Sequence, residues 1–146
     1  MDHLLEHIFM SRELYQSILK PVCDKYDLTG TELIILLFLD DNPPYDTATD
    51  IVEKRRLTKS SISMAVRNLE EKGFVVGEYV GRNRRSIHLK LQKSARPVIC
   101  DGRAAQEDFF GILADGFSEE EKERLKTYFS RVNANIEAYH KRSSQK

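Results

Sequence analysis

Between residues 58 and 91 the hydrophobic period of the chain changes once, at Gly73, and that change restricts the fold more than any other feature of the sequence. In TKSSISMAVRNLEEKG, residues 58–73, Ile62, Val66 and Leu69 fall at i, i+4 and i+7 with Ala65 beside them, which is the spacing of one helix face. In SIHLKL, residues 86–91, Ile87, Leu89 and Leu91 alternate with Ser86, His88 and Lys90, as in a strand with one buried face. Thr58 stands where a helix is capped and Gly73 where one ends. The pattern predicts a helix over 59–72, followed by a hairpin with strands over about 74–80 and 86–91.

Both parts carry an unusual surface. The helix face opposite the apolar one presents Ser60, Ser63, Met64 and Arg67, with Lys59 and Ser61 in the first turn. Its acids, Glu70 and Glu71, wait until the C-terminal end. Small hydroxylated and basic side chains let a helix approach a nucleic-acid groove closely and bond to bases and phosphates. A free helix N-terminus adds attraction for phosphate. A well-capped, Ser-rich helix start is the plainer explanation. The hairpin tip holds Arg82, Arg84 and Arg85 within four positions, where turns usually place Gly, Asn or Asp. Arginines there suit a phosphate backbone or a narrow minor groove, whose negative potential attracts them. A solvated tip is the competing account.

Elsewhere the chain reads as helix. Residues 2–26 keep a 3–4 spacing through Leu4, Ile8, Tyr15, Ile18, Val22 and Tyr26. Thr29-Gly-Thr-Glu32 has the form of a capping box, opening an almost wholly apolar helix over about 30–40 that stops at Asp40-Asp-Asn-Pro-Pro44. A short helix follows over about 47–55. After the hairpin, Ser94 is placed to cap a helix over about 95–115, weakened by Gly102 and Gly111. Ser118-Glu-Glu-Glu121 is a second capping box, opening a last amphipathic helix over 119–142. The expected fold is mainly α with a small β-hairpin wing, as one domain over 1–146.

The formal net charge of zero conceals a segregation. Residues 51–96 hold twelve Lys and Arg against four Glu, so this stretch is +8 and the remainder −8. A basic middle between acidic flanks suggests a segment that binds a polyanion. No apolar run reaches the roughly 18–20 residues of a membrane span. The start MDHLLEHIF is acidic and amphipathic, unlike an export signal. The chain is therefore expected to be cytoplasmic, with Cys23 and Cys100 as reduced thiols. No phosphate loop, dinucleotide fingerprint or nucleophile elbow occurs, and no enzyme activity or cofactor is expected. His3-Leu-Leu-Glu-His7 matches a zinc-peptidase pattern but lacks a further carboxylate ligand and a cleft; no metal is expected.

Taken together, these residues resemble the MarR-type bacterial regulators. LTKSSISMAVRNLEEKGFV (57–75) looks like the family's recognition helix running into its wing, NRRSIHLKL (83–91) like the wing, and LTGTELIILLFL (28–39) like the buried second helix. The resemblance covers essentially the whole chain and is most specific over 57–91. It implies a winged helix-turn-helix lobe over 28–92, with 1–27 and 93–146 forming the dimerisation helices of a homodimer. The implied function is a transcriptional repressor that binds a pseudo-palindromic operator in double-stranded DNA and is released by a small aromatic or anionic effector. Carried over residue by residue, Lys59, Ser60, Ser61, Ser63 and Arg67 match groove-facing positions, and Arg82, Arg84 and Arg85 the wing tip, with Arg85 the expected minor-groove arginine. Thr47 and Thr49 match positions that meet phosphate.

The sequence departs from the family at Asn83, where an Asp is common; the wing arginines then lose an ion pair. Tyr15, Tyr26, Phe38, Phe109 and Phe110 are candidates to line an effector pocket, although plain core is the simpler assignment. Neither the operator nor the choice among aromatic, oxidant and metal effectors is legible. The rival reading is a winged-helix protein-interaction module, which would be expected to expose aromatic or aliphatic anchors.

Overall fold

The computed structural model describes residues 2–145. In chain order it comprises α1 (Asp2–Tyr26), α2 (Gly30–Asp41), α3 (Ala48–Arg55), α4 (Lys59–Glu71), β1 (Val75–Glu78), β2 (His88–Leu91), a 3₁₀ turn (Lys93–Ala95), α5 (Arg96–Leu113) and α6 (Glu119–Ser144). The fold is mostly helical with one two-stranded antiparallel hairpin, as expected from the sequence. Packing divides the chain into two units, one ending at Phe109 and the other beginning at Phe110.

The first unit is built around α2. Leu33, Ile35, Leu36 and Phe38 are fully buried, because this helix is apolar on every side and has neighbours on every side. Ile51 of α3, Ile62 and Leu69 of α4, Val75 of β1, and Val98 and Ile99 of α5 complete the core. Each large side chain removed from water in this way contributes about 1.5–3 kcal/mol before entropy is counted. Gly102 sits where α5 passes close to α2: a Cβ there would lie 3.1 Å from a Leu37 methyl and 3.2 Å from a Leu33 methyl, so both side chains would have to give by a few tenths of an ångström. The glycine expected to weaken α5 lies at this close helix crossing, and the helix runs unbroken to Leu113.

Local signals account for the element ends. Thr58 accepts the Ser61 N–H at the start of α4. At its end Gly73 adopts φ +78, which favours glycine, and the Gly73 and Phe74 N–H groups donate back to Glu70 and Leu69 carbonyls at 3.0 Å each. Val75 pairs with Leu91 and Glu78 with His88, and the strands are shorter than expected because 79–87 leaves the ladder as a loop. A further bridge joins Thr47 to His88, so the segment before α3 lies against the outer edge of β2.

Two expected caps differ. Ser94 does not cap α5; its hydroxyl donates to the Gly73 carbonyl at 2.7 Å, and the chain enters α5 through the 3₁₀ turn. At Thr29 the hydroxyl accepts the Glu32 N–H as a cap should, but the Glu32 side chain turns inward and is only 1% exposed. Its carboxylate accepts from the Thr29 hydroxyl at 3.3 Å and from Lys72 Nζ at 3.5 Å, while Lys72 also donates to the Asp27 carbonyl. A carboxylate buried this deeply needs such partners. In the second unit, the expected capping box between Ser118 and Glu121 forms at the start of α6.

Candidate nucleic-acid interface

Helix α4 presents the surface anticipated for it. Ile62, Ala65 and Leu69 are buried, while Lys59, Ser60, Ser61, Ser63, Met64 and Arg67 are exposed. The face therefore combines hydroxyls, two cations and a single apolar side chain. The Thr58 hydroxyl also donates to Ser61 Oγ at 2.7 Å, which orders the first turn. The remaining N–H groups of that turn point out of the helix end, as they do in helices that bind phosphate.

The wing follows directly from the end of α4. Its loop carries Arg82, Arg84 and Arg85, all exposed. The Asn83 side-chain oxygen accepts the Arg85 backbone N–H at 2.9 Å, so asparagine supplies a local turn at the position where the family commonly has aspartate. The Arg84 guanidinium lies 5.0 Å from the Tyr79 ring centre, a cation–π contact that rests the side chain along the wing. Tyr79 was not singled out in the sequence; its signal is an aromatic next to a basic turn. At the foot of the wing, His88 Nδ1 lies 2.6 Å from Asp46 Oδ1, and the Leu89 N–H donates to the Asp46 carbonyl at 2.8 Å.

Thr47 is the N-cap of α3. Its hydroxyl accepts the Asp50 N–H, and the Asp50 carboxylate accepts the Thr47 N–H, each at 3.1 Å. Thr49, in the first turn, is exposed.

Not every positive charge in the basic stretch faces outward. Lys72 is taken up by Glu32 and Asp27, and Arg96 lies 2.6 Å from Asp40, which Arg103 also contacts. Lys54 and Arg55 lie over the rings of Tyr45 and Phe38 at 4.6 and 4.9 Å. Among the described residues, Lys59, Arg67, Arg82, Arg84 and Arg85 make no ion pair. Arg56, Lys90 and Lys93 are likewise exposed and make no ion pair among the described residues, so the free charge of α4 and the wing loop continues onto the neighbouring turn and strand.

A cavity of about 660 Å³ opens between α1, the first turn of α2 and Leu57. Leu19, Ile34 and Leu57 give it apolar walls, Arg12 brings positive charge to it, and Lys20 at its wall is paired with Asp24 at 3.0 Å. Of the five aromatic residues considered for an effector pocket, Tyr15 lines this cavity; its hydroxyl accepts from Gln106 at 3.0 Å, and Phe109 meets its ring edge-on at 5.0 Å. Tyr26 instead donates to Asp101 at 2.7 Å, and Phe38 is sealed in the core. Phe110 lies under Lys126, 5.4 Å from its Nζ. Arg12 and Lys20 were not read from the sequence as pocket residues, since a basic residue on an amphipathic helix is ordinarily a solvated one. Cys23 also lines the cavity, and burial, followed by the nearby Asp24 and Glu32 carboxylates, raises its thiol pKa. Cys100 is exposed. Among the described residues there is no group of three or more His, Cys, Asp or Glu suited to a metal, and no helix long and apolar enough to cross a membrane.

Known proteins share this architecture. Residues 26–86 match the MarR family model. Among solved structures, a MarR protein from Peptoclostridium difficile superposes with a TM-score of 0.81 at 19% identity, over 95% of this chain and 90% of the other. A MarR transcriptional regulator from Methanosarcina mazei gives 0.84 at 14% identity, over 95% and 99%. A MarR family transcriptional regulator from Listeria monocytogenes, solved in complex with 26mer DNA, gives 0.79 at 16% identity, over 91% and 87%. At these identities the structural likeness speaks for the fold, and the family match covers the segment from the end of α1 to the wing tip. The chain has the winged helix-turn-helix fold of these proteins, and the segment from the end of α1 to the wing matches the MarR family model.

Proposed function

We propose that this protein is a DNA-binding transcriptional regulator in which α4 enters the major groove and the wing arginines meet the flanking backbone or minor groove. The observation that carries this reading is the free charge. Lys59, Arg67, Arg82, Arg84 and Arg85 are exposed and make no ion pair among the described residues, whereas Lys72 and Arg96 of the same basic stretch are paired with Glu32 and Asp40. Cations left without partners on a hydroxyl-rich helix and an adjoining wing suit a phosphate-lined duplex. The Listeria relative, solved with DNA, supports the same reading.

The working form is a homodimer on a two-fold related operator. Apolar side chains of the terminal helices support this: Leu4, Ile8 and Phe9 of α1 and Val132, Ile136 and Tyr139 of α6 are all at least half exposed. Contiguous apolar stripes of this kind mark association surfaces. Release from DNA by a small aromatic or anionic effector, which makes the protein a repressor, is supported by the apolar cavity with Tyr15 and Arg12 at its walls. Such a ligand would act by binding one spacing of the two recognition helices better than another.

Selection from a random duplex library tests the reading. It should enrich an inverted repeat whose half-sites lie about 10 bp apart or a multiple of that. Failure to enrich any sequence, from a protein shown to be folded, would overturn it.

A further inference from the structure

Met64 stands apart on the surface of α4. It is 68% exposed, and the residues a helical turn away from it, Ser60, Ser61, Arg67 and Asn68, are all polar. The core face of α4 is complete without it, through Ile62, Ala65 and Leu69. Its apolar surface is therefore not used by the fold. A helical side chain leans toward the N-terminus, so Met64 covers the turn around Ser60 and Ser61. That is the part of a recognition helix that comes closest to base edges. Methionine is longer than the serines around it, unbranched and polarizable, and it adapts its shape to an apolar neighbour.

The floor of the major groove offers such a side chain one kind of partner. Guanine, cytosine and adenine present donors and acceptors there; thymine adds an apolar C5-methyl group. Met64 gains nothing against the polar edges and would leave them without hydrogen bonds, whereas against a thymine methyl both apolar surfaces leave water. We infer that Met64 is a specificity-determining residue that selects a thymine at one position of each half-site through contact with its C5-methyl group. The inference rests on the DNA-binding reading given above.

Deoxyuridine supplies the test, because it keeps every hydrogen-bonding group of thymine and lacks only the methyl. Each thymine of the selected operator would be replaced in turn, and affinity measured by fluorescence anisotropy for the wild-type protein, Met64→Ala and Met64→Leu, each checked for native helicity. At one thymine per half-site the wild type and Met64→Leu should lose affinity about fourfold on removal of the methyl. Met64→Ala should bind the thymine and deoxyuridine duplexes equally at that position. Identical responses of the wild type and Met64→Ala at every thymine would overturn the inference and leave DNA binding standing. Absence of binding to any duplex would overturn both.

Discussion

His88 Nδ1 lies 2.6 Å from Asp46 Oδ1, and this pair ties the returning wing strand to the segment that leads into α3. With the Leu89–Asp46 backbone bond and the Thr47–His88 bridge, it holds the wing at its foot while the arginine loop stays free. Asp46→Ala removes the side-chain partner but leaves the backbone bond. It should cost about 1 kcal/mol of stability. It should also speed hydrogen exchange of the Leu89 amide more than that of α2 amides, which native-state exchange would measure. Equal acceleration everywhere would mean that the pair stabilises the lobe as a whole and does not hold the wing in particular.

Lys72 and Glu32 join the end of α4 to the start of α2. The Glu32 side chain is 2% exposed and that of Lys72 32%. Removing the lysine would leave a buried carboxylate with only the Thr29 hydroxyl. Loss of one partner from a fully buried pair costs about 3–5 kcal/mol. The partial exposure of Lys72 reduces this, so Lys72→Met should destabilise by about 2 kcal/mol in urea unfolding. Adding Glu32→Gln should recover part of the loss, because the neutral amide is less costly to bury. A double variant no better than Lys72→Met would contradict this account.

Asp101 accepts from Lys25 at 2.8 Å and from the Tyr26 hydroxyl at 2.7 Å, and these bonds hold its carboxyl below the usual range. A lowered folded-state pKa means that the stabilisation is present above the unfolded value, about 3.9, and lost as pH falls through the folded value. The melting temperature of the wild type should therefore exceed that of Asp101→Asn at pH 7, and the gap should close below about pH 4. A gap independent of pH would assign the effect to something other than the charge.

The exposed stripe on α6 predicts association. Light scattering should give about twice the mass of the 16.9 kDa chain. Placing charge in the stripe with Val132→Asp and Ile136→Asp should yield a monomer with weaker operator binding and a melting temperature that no longer depends on concentration. A monomeric wild type at micromolar concentration would remove the two-fold operator from the account.

Much of this fold is written in local pattern. The change of period at Gly73, the caps at Thr58 and Ser118 and the apolar run of α2 each act over a few residues, so reading the sequence finds them. The failures are long-range. Ser94 looks like a cap until Gly73 offers its carbonyl from 21 residues away. Lys72 and Arg96 count toward a basic surface until Glu32 and Asp40 claim them. Charge counting sees sign but not partners, and so it overstated the free charge of the segment. The cavity at Arg12 and Lys20 was hidden for the same reason, since it exists only where α1 and α2 meet.

The most direct test of the central claim is anisotropy on the selected operator and on a scrambled duplex across a salt series. If about 6–10 phosphates are neutralised, operator affinity should fall roughly 10³–10⁵-fold between 50 and 200 mM salt. At each salt concentration the operator should be preferred by about a hundredfold or more. Equal, weak binding to both duplexes with little salt dependence would contradict the account, and would point to a winged helix whose basic face meets an acidic protein.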